Sequence, residues 1–367
     1  MNVLIINDWV STIAAGGTYR VQGFAAGLAE IGHKPLICTS WGVVEYSRDK
    51  MTHQPNVKSP GYYLTTTFPL LIQTIRSIIR RGVPDLAIIQ MPSPITKALS
   101  ILPLLKAFDI PVILDFGDPW WRQNESQLYA ILSSYFAYLQ ARNSLLVTSP
   151  SKLILRLFRG INTIHLPNGV DLKLFRPTKQ PGESGLIGFL GVFSERNGSR
   201  IIIPTLVELL KQNLNVRFLL VGQGEDLPVL LNEAFRKGVR KGVIVSGAVR
   251  RDMVPKLLSR AQILVAPYKE DPILNFIFPT KVPEMMALKK PVITAPLYEI
   301  LTTFKVGEEL LIAEYDYKCY SYKIASLLED PNYGRKIAET GYKRIVRDFS
   351  WTELMRSLLK ELSEKVQ

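Results

Sequence analysis

The sequence has few residues of the kinds that build disulfide scaffolds or metal centres. Its 367 residues include 2 cysteines and 3 histidines. Cys38 and Cys319 lie far apart in the chain and lack the spacing of metal ligands, which argues against a disulfide scaffold and fits a reducing compartment. His33, His53 and His165 form no recognisable metal-binding cluster. We therefore predict that the protein holds no metal ion.

Long apolar runs are also missing. No apolar run reaches the roughly 20 residues that a membrane-spanning helix requires. The first eight residues have no basic segment, and their apolar run is too short for a signal peptide. The sequence thus predicts a cytoplasmic protein that is soluble or bound peripherally to the inner face of the cell membrane.

Acidic residues are outnumbered by basic ones. The chain has 45 Lys and Arg residues against 32 Asp and Glu residues, a formal net charge of +13, and both halves are basic. This distribution suits a polyanionic ligand or an anionic membrane surface, and solubility alone would also explain it. Nucleic acid is not an expected partner, because the sequence has no zinc spacing, recognition-helix signature or aromatic-studded basic motif.

Short apolar strands alternate with helices along the whole chain. Runs such as 3–6, 85–90, 216–221 and 263–268 are typical of buried parallel strands. The alternation predicts an α/β protein with two doubly wound parallel-sheet domains. A polar linker at 177–184 separates a domain at 1–176 from one at 183–349, and residues 42–62 are predicted to be irregular. A ligand crevice is expected between the carboxyl ends of the two sets of strands.

Two predicted helices of the first half have alternative interpretations. The helix at 70–81 ends in Arg76, Arg80 and Arg81, which would contact anionic headgroups or simply favour a helix carboxyl end. The helix at 128–142 is apolar and aromatic. Core packing and a lipid-facing groove would both explain it, and we favour core packing.

A segment with features of an anion site begins at residue 275. Thr280 and Lys281 come where a short helix, 282–288, is predicted to start, and the first N–H groups of a helix lack internal partners. Glu284 lies three residues after Lys281, on the same helix face. These groups suit a phosphorylated sugar or a nucleotide. The alternative is a surface helix with an incidental salt pair.

Two other segments point to ligands. Gly16 and Gly17 precede a predicted helix, with Arg20 just inside it, and paired glycines let a backbone approach a diphosphate. Asp115 ends the strand at 111–115 and Asp118 follows it, and open α/β sheets bind ligands at carboxyl ends of strands. Asp118 is the better candidate base because it lies past the strand. Loop capping is the alternative for this aspartate.

The order of these motifs resembles glycosyltransferase family 4, the retaining sugar transferases of the GT-B fold, over almost the whole chain. The final motif resembles the subgroup with Pro-x-Lys-x-x-Glu. The matching segments are Gly16-Gly17, Asp115-Phe-Gly-Asp-Pro-Trp, Pro167-Asn-Gly-Val-Asp, Phe175-Arg-Pro, Phe189-Leu-Gly, Leu219-Leu-Val-Gly-Gln-Gly, Gly247-Ala-Val, Pro267-Tyr and Pro279-Thr-Lys-Val-Pro-Glu.

The resemblance implies a retaining, metal-independent glycosyltransferase of the hexosyltransferase type. It would use a UDP- or GDP-linked sugar and no other cofactor, and its acceptor would be a glycan, a lipid-linked sugar or a small molecule. Lys281 would bind phosphate oxygens, Glu284 the ribose hydroxyls, and Asp118 would lie near the acceptor hydroxyl. Asp115 and Trp120 would contact the acceptor. The other donor-binding residues would be Gly16, Gly17, Gly191, Arg196, Gly222, Gly247, Val249, Arg250, Pro279 and Thr280.

The resemblance also implies that a helix at about 350–367 crosses back onto the first domain. Three positions depart from the family pattern. Phe276 stands where an acid is usual, and Val192 and Asn197 stand where an arginine and a lysine are usual. Arg196, Arg200 or Lys281 would compensate. Two other functions stay open: a nucleotide-sugar epimerase or phosphorylase-like enzyme, and a non-catalytic nucleotide-sugar binding homologue.

Overall fold

The computed structural model describes residues 1–7, 16–40, 42–45, 62–91, 95, 99–122, 126–179 and 182–366. The chain divides into two compact units. Unit 1 contains Met1–Gly169, Phe276–Phe278 and Trp351–Gln367, and unit 2 contains Val170–Asn275 and Pro279–Ser350. The predicted limits were 1–176 with about 350–367, and 183–349. In the structure the units change over at Gly169, and a three-residue segment around Ile277 also belongs to unit 1.

Unit 1 is built on a sheet with seven described strands, in the order β3-β2-β1-β4-β5-β6-β7. All neighbouring pairs are parallel except β2 and β3. The strands are β1 Asn2–Ile6, β2 Lys34–Thr39, β3 Gly42–Glu45, β4 Leu86–Gln90, β5 Val112–Asp115, β6 Leu146–Ser149 and β7 Thr163–His165.

Helices cover both faces of this sheet. One apolar cluster joins α1 and α13 to the sheet, and another joins the sheet to α2, α3, α4 and α5. The sheet is therefore sandwiched, as its continuous apolar strands require. The helices are α1 Gly16–Glu30, α2 Tyr62–Arg81, α3 Ile101–Ala107, α4 Gln127–Arg142, α5 Lys152–Leu155 and α13 Trp351–Val366.

The last helix fits onto α1 through two glycines. A Cβ at Gly23 would lie 2.0 Å from the Trp351 ring, and one at Gly27 would lie 2.3 Å from the Trp351 carbonyl oxygen. The Trp351 ring meets Phe24 edge to face at a centroid distance of 5.5 Å. Because positions 23 and 27 share one face of α1, the two glycines form the seat on which α13 lies.

Unit 2 has a six-stranded parallel sheet in the order β10-β9-β8-β11-β12-β13. Its strands are β8 Leu186–Leu190, β9 Arg217–Val221, β10 Val243–Gly247, β11 Ile263–Ala266, β12 Val292–Thr294 and β13 Leu311–Ile312. Its helices are α6 Ile202–Lys211, α7 Leu227–Arg236, α8 Val254–Leu258, α9 Lys281–Met286, α10 Tyr298–Leu301, α11 Tyr317–Glu329 and α12 Pro331–Asp348.

The predicted α/β class with two parallel-sheet domains is confirmed. The structure differs from the prediction at two short elements, β3 and α9. β3 lies within the segment predicted to be irregular, and it pairs antiparallel with β2 because a short turn can join antiparallel neighbours. The helix predicted at 282–288 runs from Lys281 to Met286 and ends in tight turns before the proline at 291. No described helix is long and apolar enough to cross a membrane.

Candidate functional site

Bare backbone forms the carboxyl edge of the unit 2 sheet where three adjacent strands end. Gly191 follows β8, Gly222 follows β9 and Gly247 closes β10. The N–H of Gly222 donates to the carbonyl of Gly247 at 3.1 Å. Gly222 has φ +138°, and a Cβ there would lie 2.0 Å from the Gly191 carbonyl oxygen. Only glycine therefore fits at position 222.

The ammonium of Lys281 lies against this edge. Its Nζ would be 3.2 Å from a Cβ at Gly191. The Lys281 side chain is 8% exposed, and its Nζ has no hydrogen-bond partner in the described part of the chain. It stands 4.2 Å from the centroid of Tyr268 and 5.2 Å from that of Phe189. A buried amine without a carboxylate is costly, so this cation is poised for an anion from outside the protein.

Burial also changes the protonation of this amine. Desolvation lowers the pKa of Lys281 to about 7. The charged and neutral forms are therefore both populated near neutral pH, and an anion placed beside Nζ would favour the charged form.

Glu284, one turn further along α9, has a different partner from the one its spacing suggests. Its carboxylate is 4% exposed and accepts a hydrogen bond from Nη2 of Arg251. Burial raises the pKa of Glu284, and the Arg251 charge opposes that rise. Lys281 forms no ion pair with it within the described chain, so the incidental salt pair considered as an alternative is absent.

Arg251 is a site residue that the sequence analysis missed. Its guanidinium also lies over the Phe175 ring, 5.1 Å from the centroid. Its neighbour Arg250, the residue predicted to bind the donor, points its 85% exposed side chain to Asp252. Both arginines follow β10 by a few residues, so the spacing could not tell which one turns inward. The one signal in the sequence was Glu284 itself, because a carboxylate on a buried helix requires a cationic partner.

The other predicted donor residues of unit 2 lie in the segments after β8 and β10 and just before α9. Val249 is half-buried in the turn after β10. Pro279 is buried, and Thr280 precedes α9 with a half-buried side chain that makes no capping hydrogen bond. Arg196 is in the loop after β8, where it pairs with Asp271 at 3.4 Å.

Two of the three cations named as compensating residues are committed to carboxylates. Arg200 pairs with Asp226 at 3.0 Å and with Glu195 at 3.1 Å. The other such cation is Arg196, and Lys281 alone of the three has no carboxylate partner among the described residues. At the departing positions, Val192 is 57% exposed and Asn197 donates to the Ser194 hydroxyl at 2.9 Å.

In unit 1, Asp115 forms a buried ion pair. Nε and Nη2 of Arg20 donate to its two oxygens at 2.8 and 2.7 Å, and the Thr148 hydroxyl donates at 2.8 Å. Arg20 also donates to the Asn168 side chain at 3.1 Å. Asp115 has no exposed surface. The predicted contact of Asp115 with an acceptor would require this cluster to open.

Trp120 is similarly enclosed. It is 2% exposed and packs against Phe116, Phe158 and Trp121. Asp118, by contrast, is exposed in the bend after β5. Phe276, where an acid was expected, meets the ring of Trp121 edge to face at 5.4 Å. An aromatic contact within unit 1 thus occupies the position of the missing acid.

Gly16 and Gly17 are the first residues of α1, earlier than the predicted helix start. The loop that precedes them lies outside the described residues. His165 is bonded through Nε2 to the Pro150 carbonyl at 3.0 Å, and burial lowers its pKa to about 4. Among the described residues, no group of His, Cys, Asp and Glu side chains is arranged to hold a metal ion.

The family comparison identifies the segment that contains this edge. Residues 184–330 match a family model described as Glycosyl transferases group 1. Gly191, Gly222, Gly247, Lys281 and Glu284 all fall within the match. No curated protein matches the chain.

Solved structures resemble the whole chain. Sucrose-phosphate synthase from Thermosynechococcus elongatus is 18% identical, with a TM-score of 0.75 and coverage of 99% of this chain and 98% of that one. HepE of Anabaena, solved with UDP-glucose, is 16% identical, with a TM-score of 0.73 and coverage of 99% and 100%. A glycosyltransferase from Rickettsia africae is 16% identical, with a TM-score of 0.72 and coverage of 100% and 98%. The architecture is thus that of GT-B glycosyltransferases.

Proposed function

We propose that this chain is a glycosyltransferase that moves a sugar from a nucleotide-diphosphate sugar to an acceptor hydroxyl. The observation that carries the proposal is Lys281. Its buried Nζ has no hydrogen-bond partner among the described residues, and it lies beside the bare backbone of Gly191. The match of residues 184–330 to a glycosyltransferase family supports it. So does the resemblance to HepE, which was solved with UDP-glucose.

The donor binds, in this proposal, at the carboxyl edge of the unit 2 sheet. Lys281 contacts the phosphates, while the backbone at Gly191 and Gly222 allows their close approach. Glu284 accepts hydrogen bonds from the ribose hydroxyls, held in place by Arg251. The turn at Gly247, Val249 and Arg250 meets the nucleobase. Gly16 and Gly17, with Arg196, Pro279 and Thr280, complete the proposed donor contacts.

The chemical role of Lys281 follows from where charge develops. Cleavage of the anomeric bond leaves negative charge on the nucleotide diphosphate. An ammonium already in place next to the diphosphate oxygens stabilises the departing group without reorganising. One such donor commonly lowers the activation free energy by about 3–4 kcal/mol. We propose that this cation makes a metal ion unnecessary. We also propose retention of anomeric configuration, which rests on the resemblance of the Pro-x-Lys-x-x-Glu motif to retaining enzymes.

For the acceptor hydroxyl we propose Asp118 as the contacting carboxylate. It is exposed in the bend after β5, whereas Asp115 and Trp120 are enclosed. We therefore assign those two residues to the support of this bend rather than to direct contact with the acceptor.

The proposal is tested by replacing Lys281. A panel of UDP- and GDP-sugars is first screened by thermal shift, and transfer or hydrolysis is then followed by product analysis in the presence of EDTA. Lys281→Ala should lower turnover by about a hundredfold or more while leaving the circular dichroism spectrum unchanged.

Lys289→Ala serves as the matched control. Lys289 lies just after the same helix, is 42% exposed and pairs with Glu339, so its loss should leave turnover unchanged. An unaltered rate in Lys281→Ala would refute the catalytic role. Binding of a nucleotide sugar without transfer to any acceptor would favour a non-catalytic binding protein, which the departures at Val192 and Asn197 make the specific alternative.

A further inference from the structure

The helix α4 presents its large apolar side chains to solvent. Ile131 is 66% exposed, Leu128 65% and Tyr135 62%. Three more side chains continue the same row with exposures just above 40%: Leu132, Tyr138 and Leu139. The spacing of three and four residues places all six on one stripe along the helix. We call these six residues the α4 stripe.

The buried face of α4 is made of smaller and more polar groups. Its buried residues are Ser133, Ala137, Gln140 and Ala141. Unit 1 thus buries the side that offers the least apolar surface and leaves the richer side outside. Folding of the unit does not account for the α4 stripe, and a contiguous apolar row of this kind marks an interaction surface.

The described segment from residue 126 to residue 170, which contains the α4 stripe, carries charge of one sign. Residues 126–170 contain no Asp or Glu, whereas they contain Arg142, Lys152, Arg156 and Arg159. The Tyr138 hydroxyl donates to the Arg159 carbonyl at 3.5 Å, which places the chain around Arg159 beside the stripe. Leu157 in the same turn is 49% exposed.

Neighbouring helices on this side of the sheet repeat the pattern. The helices α2 and α3, which share an apolar cluster with α4, contain no acidic residue. Phe68 and Ile79 of α2 are 67% and 77% exposed, and Arg76 and Arg80 are exposed next to them. Lys106 of α3 donates to the Asn143 side chain at 2.7 Å, directly after α4.

The opposite side of the same sheet is different. There α1 and α13 carry Glu30, Glu353, Glu361 and Glu364. The apolar surface of α1 is covered by α13, whose Trp351 packs onto Gly23 and Gly27. One side of unit 1 is therefore covered and of mixed charge, and the other is apolar, basic and free of acids on its described helices.

We propose that the outer side of α2, α3, α4 and α5 is a docking surface for an anionic lipid bilayer, with α4 lying in the plane of the interface. The α4 stripe enters the boundary between headgroups and acyl chains. Arg76, Arg142 and Arg159 meet the phosphates around it. A helix with apolar residues on one side and bases at its margin binds such surfaces by burial and charge together.

Charge favours a bilayer over a second copy of this chain. A two-fold contact through the α4 stripe would bring the same basic margin of both copies together, with no carboxylate in residues 126–170 to pair with it. Anionic headgroups supply the missing charge. Contact of the α2 arginines with anionic headgroups was one of the two interpretations that the sequence left open. For the helix at 128–142, which supplies the apolar centre of the surface, the sequence favoured core packing over a lipid-facing groove.

The test is co-sedimentation of the full chain with vesicles. Vesicles of phosphatidylcholine mixed with phosphatidylglycerol are compared with vesicles of phosphatidylcholine alone, at low and high salt. Leu128, Ile131 and Tyr135 are replaced together by Gln, which keeps helix propensity and the basic margin. We expect the wild type to bind the anionic vesicles, the triple variant to bind at least about tenfold more weakly, and salt to weaken binding.

The matched control is Phe235→Gln, which removes a 75% exposed apolar side chain from α7 of unit 2. It should bind vesicles like the wild type. Equal binding by the triple variant, absence of wild-type binding, or equal binding to neutral vesicles would each overturn the proposal. So would a wild-type dimer in ultracentrifugation that the triple variant abolishes. Because none of the replaced residues belongs to the proposed donor site, binding of a nucleotide sugar should be the same in all variants, which separates this test from that of the proposed function.

Discussion

At Lys281 a cation is held against two aromatic faces where a carboxylate would be usual. The Tyr268 and Phe189 rings stabilise the charge by their quadrupoles, but they do not replace the lost hydration. The residue therefore combines burial, a free Nζ within the described chain and a pKa near neutrality. Sequence spacing could place a lysine at the start of α9, but its desolvation depends on side chains from two other segments.

The lowered pKa of Lys281 predicts a pH-dependent affinity. With a pKa of about 7, the ammonium dominates below that value and is lost as the pH rises through it. The affinity for a nucleotide sugar, whose diphosphate does not titrate there, should fall about tenfold from about pH 6 to about pH 8. Calorimetric titration across this window measures it. Lys281→Met should bind weakly with a flat profile, and a flat profile in the wild type would contradict the assignment.

For Asp115, the sequence alone could not identify the side chain with which its carboxylate pairs. Its place at the end of β5 is where ligands of open sheets bind, and the family resemblance turned that pattern into the acceptor prediction. The partner that decides its role, Arg20, is 95 residues away in the chain. Asn168 of the Pro-Asn-Gly motif is tied to the same guanidinium. The motif segments of unit 1 thus include a structural clamp as well as candidate binding residues.

At the scale of elements, the packing of α13 on α1 predicts how much Trp351 contributes to the free energy of unfolding. Trp351 is 8% exposed and fills the space above Gly23 and Gly27. Trp351→Ala should lower the free energy of unfolding by about 3–5 kcal/mol, the usual cost of removing a large aromatic side chain from a packed site. Urea denaturation followed by circular dichroism measures the loss.

The control for this prediction is Trp351→Phe, which keeps an aromatic ring beside Phe24 and should cost less. Gly27→Ala should destabilise as well, because its Cβ would meet the backbone at Trp351. A loss below about 1 kcal/mol in Trp351→Ala would mean that α13 contributes little to unit 1.

For helix α4, the spacing of apolar residues predicted the helix but not which of its sides is buried. The spacing of apolar residues correctly predicted a helix over almost the whole of Gln127–Arg142. It favoured core packing for the aromatic residues, and that preference was wrong for Tyr135 and Tyr138, which are exposed. Since both sides of α4 are free of charge until its last residue, hydropathy alone could not identify the side that faces the sheet.

For the whole molecule, the proposed donor site predicts where a bound nucleotide sugar protects the backbone. Hydrogen exchange should slow in unit 2 peptides that contain the ends of β8, β9 and β10 and the segment 279–284. Peptides of α4 should not change. The peptide that begins α1 tests the proposed contact of Gly16 and Gly17. Protection confined to α4 and its neighbours, with none at the strand ends of unit 2, would contradict the donor site.

The sequence by itself determined the class of the fold and the segments of the candidate site. Buried parallel strands are recognisable as short apolar runs, and the glycines at the strand ends are visible in the sequence. Only the tertiary structure decided which charges pair and which faces are covered. It joined Arg20 to Asp115 and Arg251 to Glu284, left Lys281 without a carboxylate in the described chain, and turned the aromatic side of α4 outward. Those outcomes depend on residues far apart in the chain, whose proximity no local pattern records.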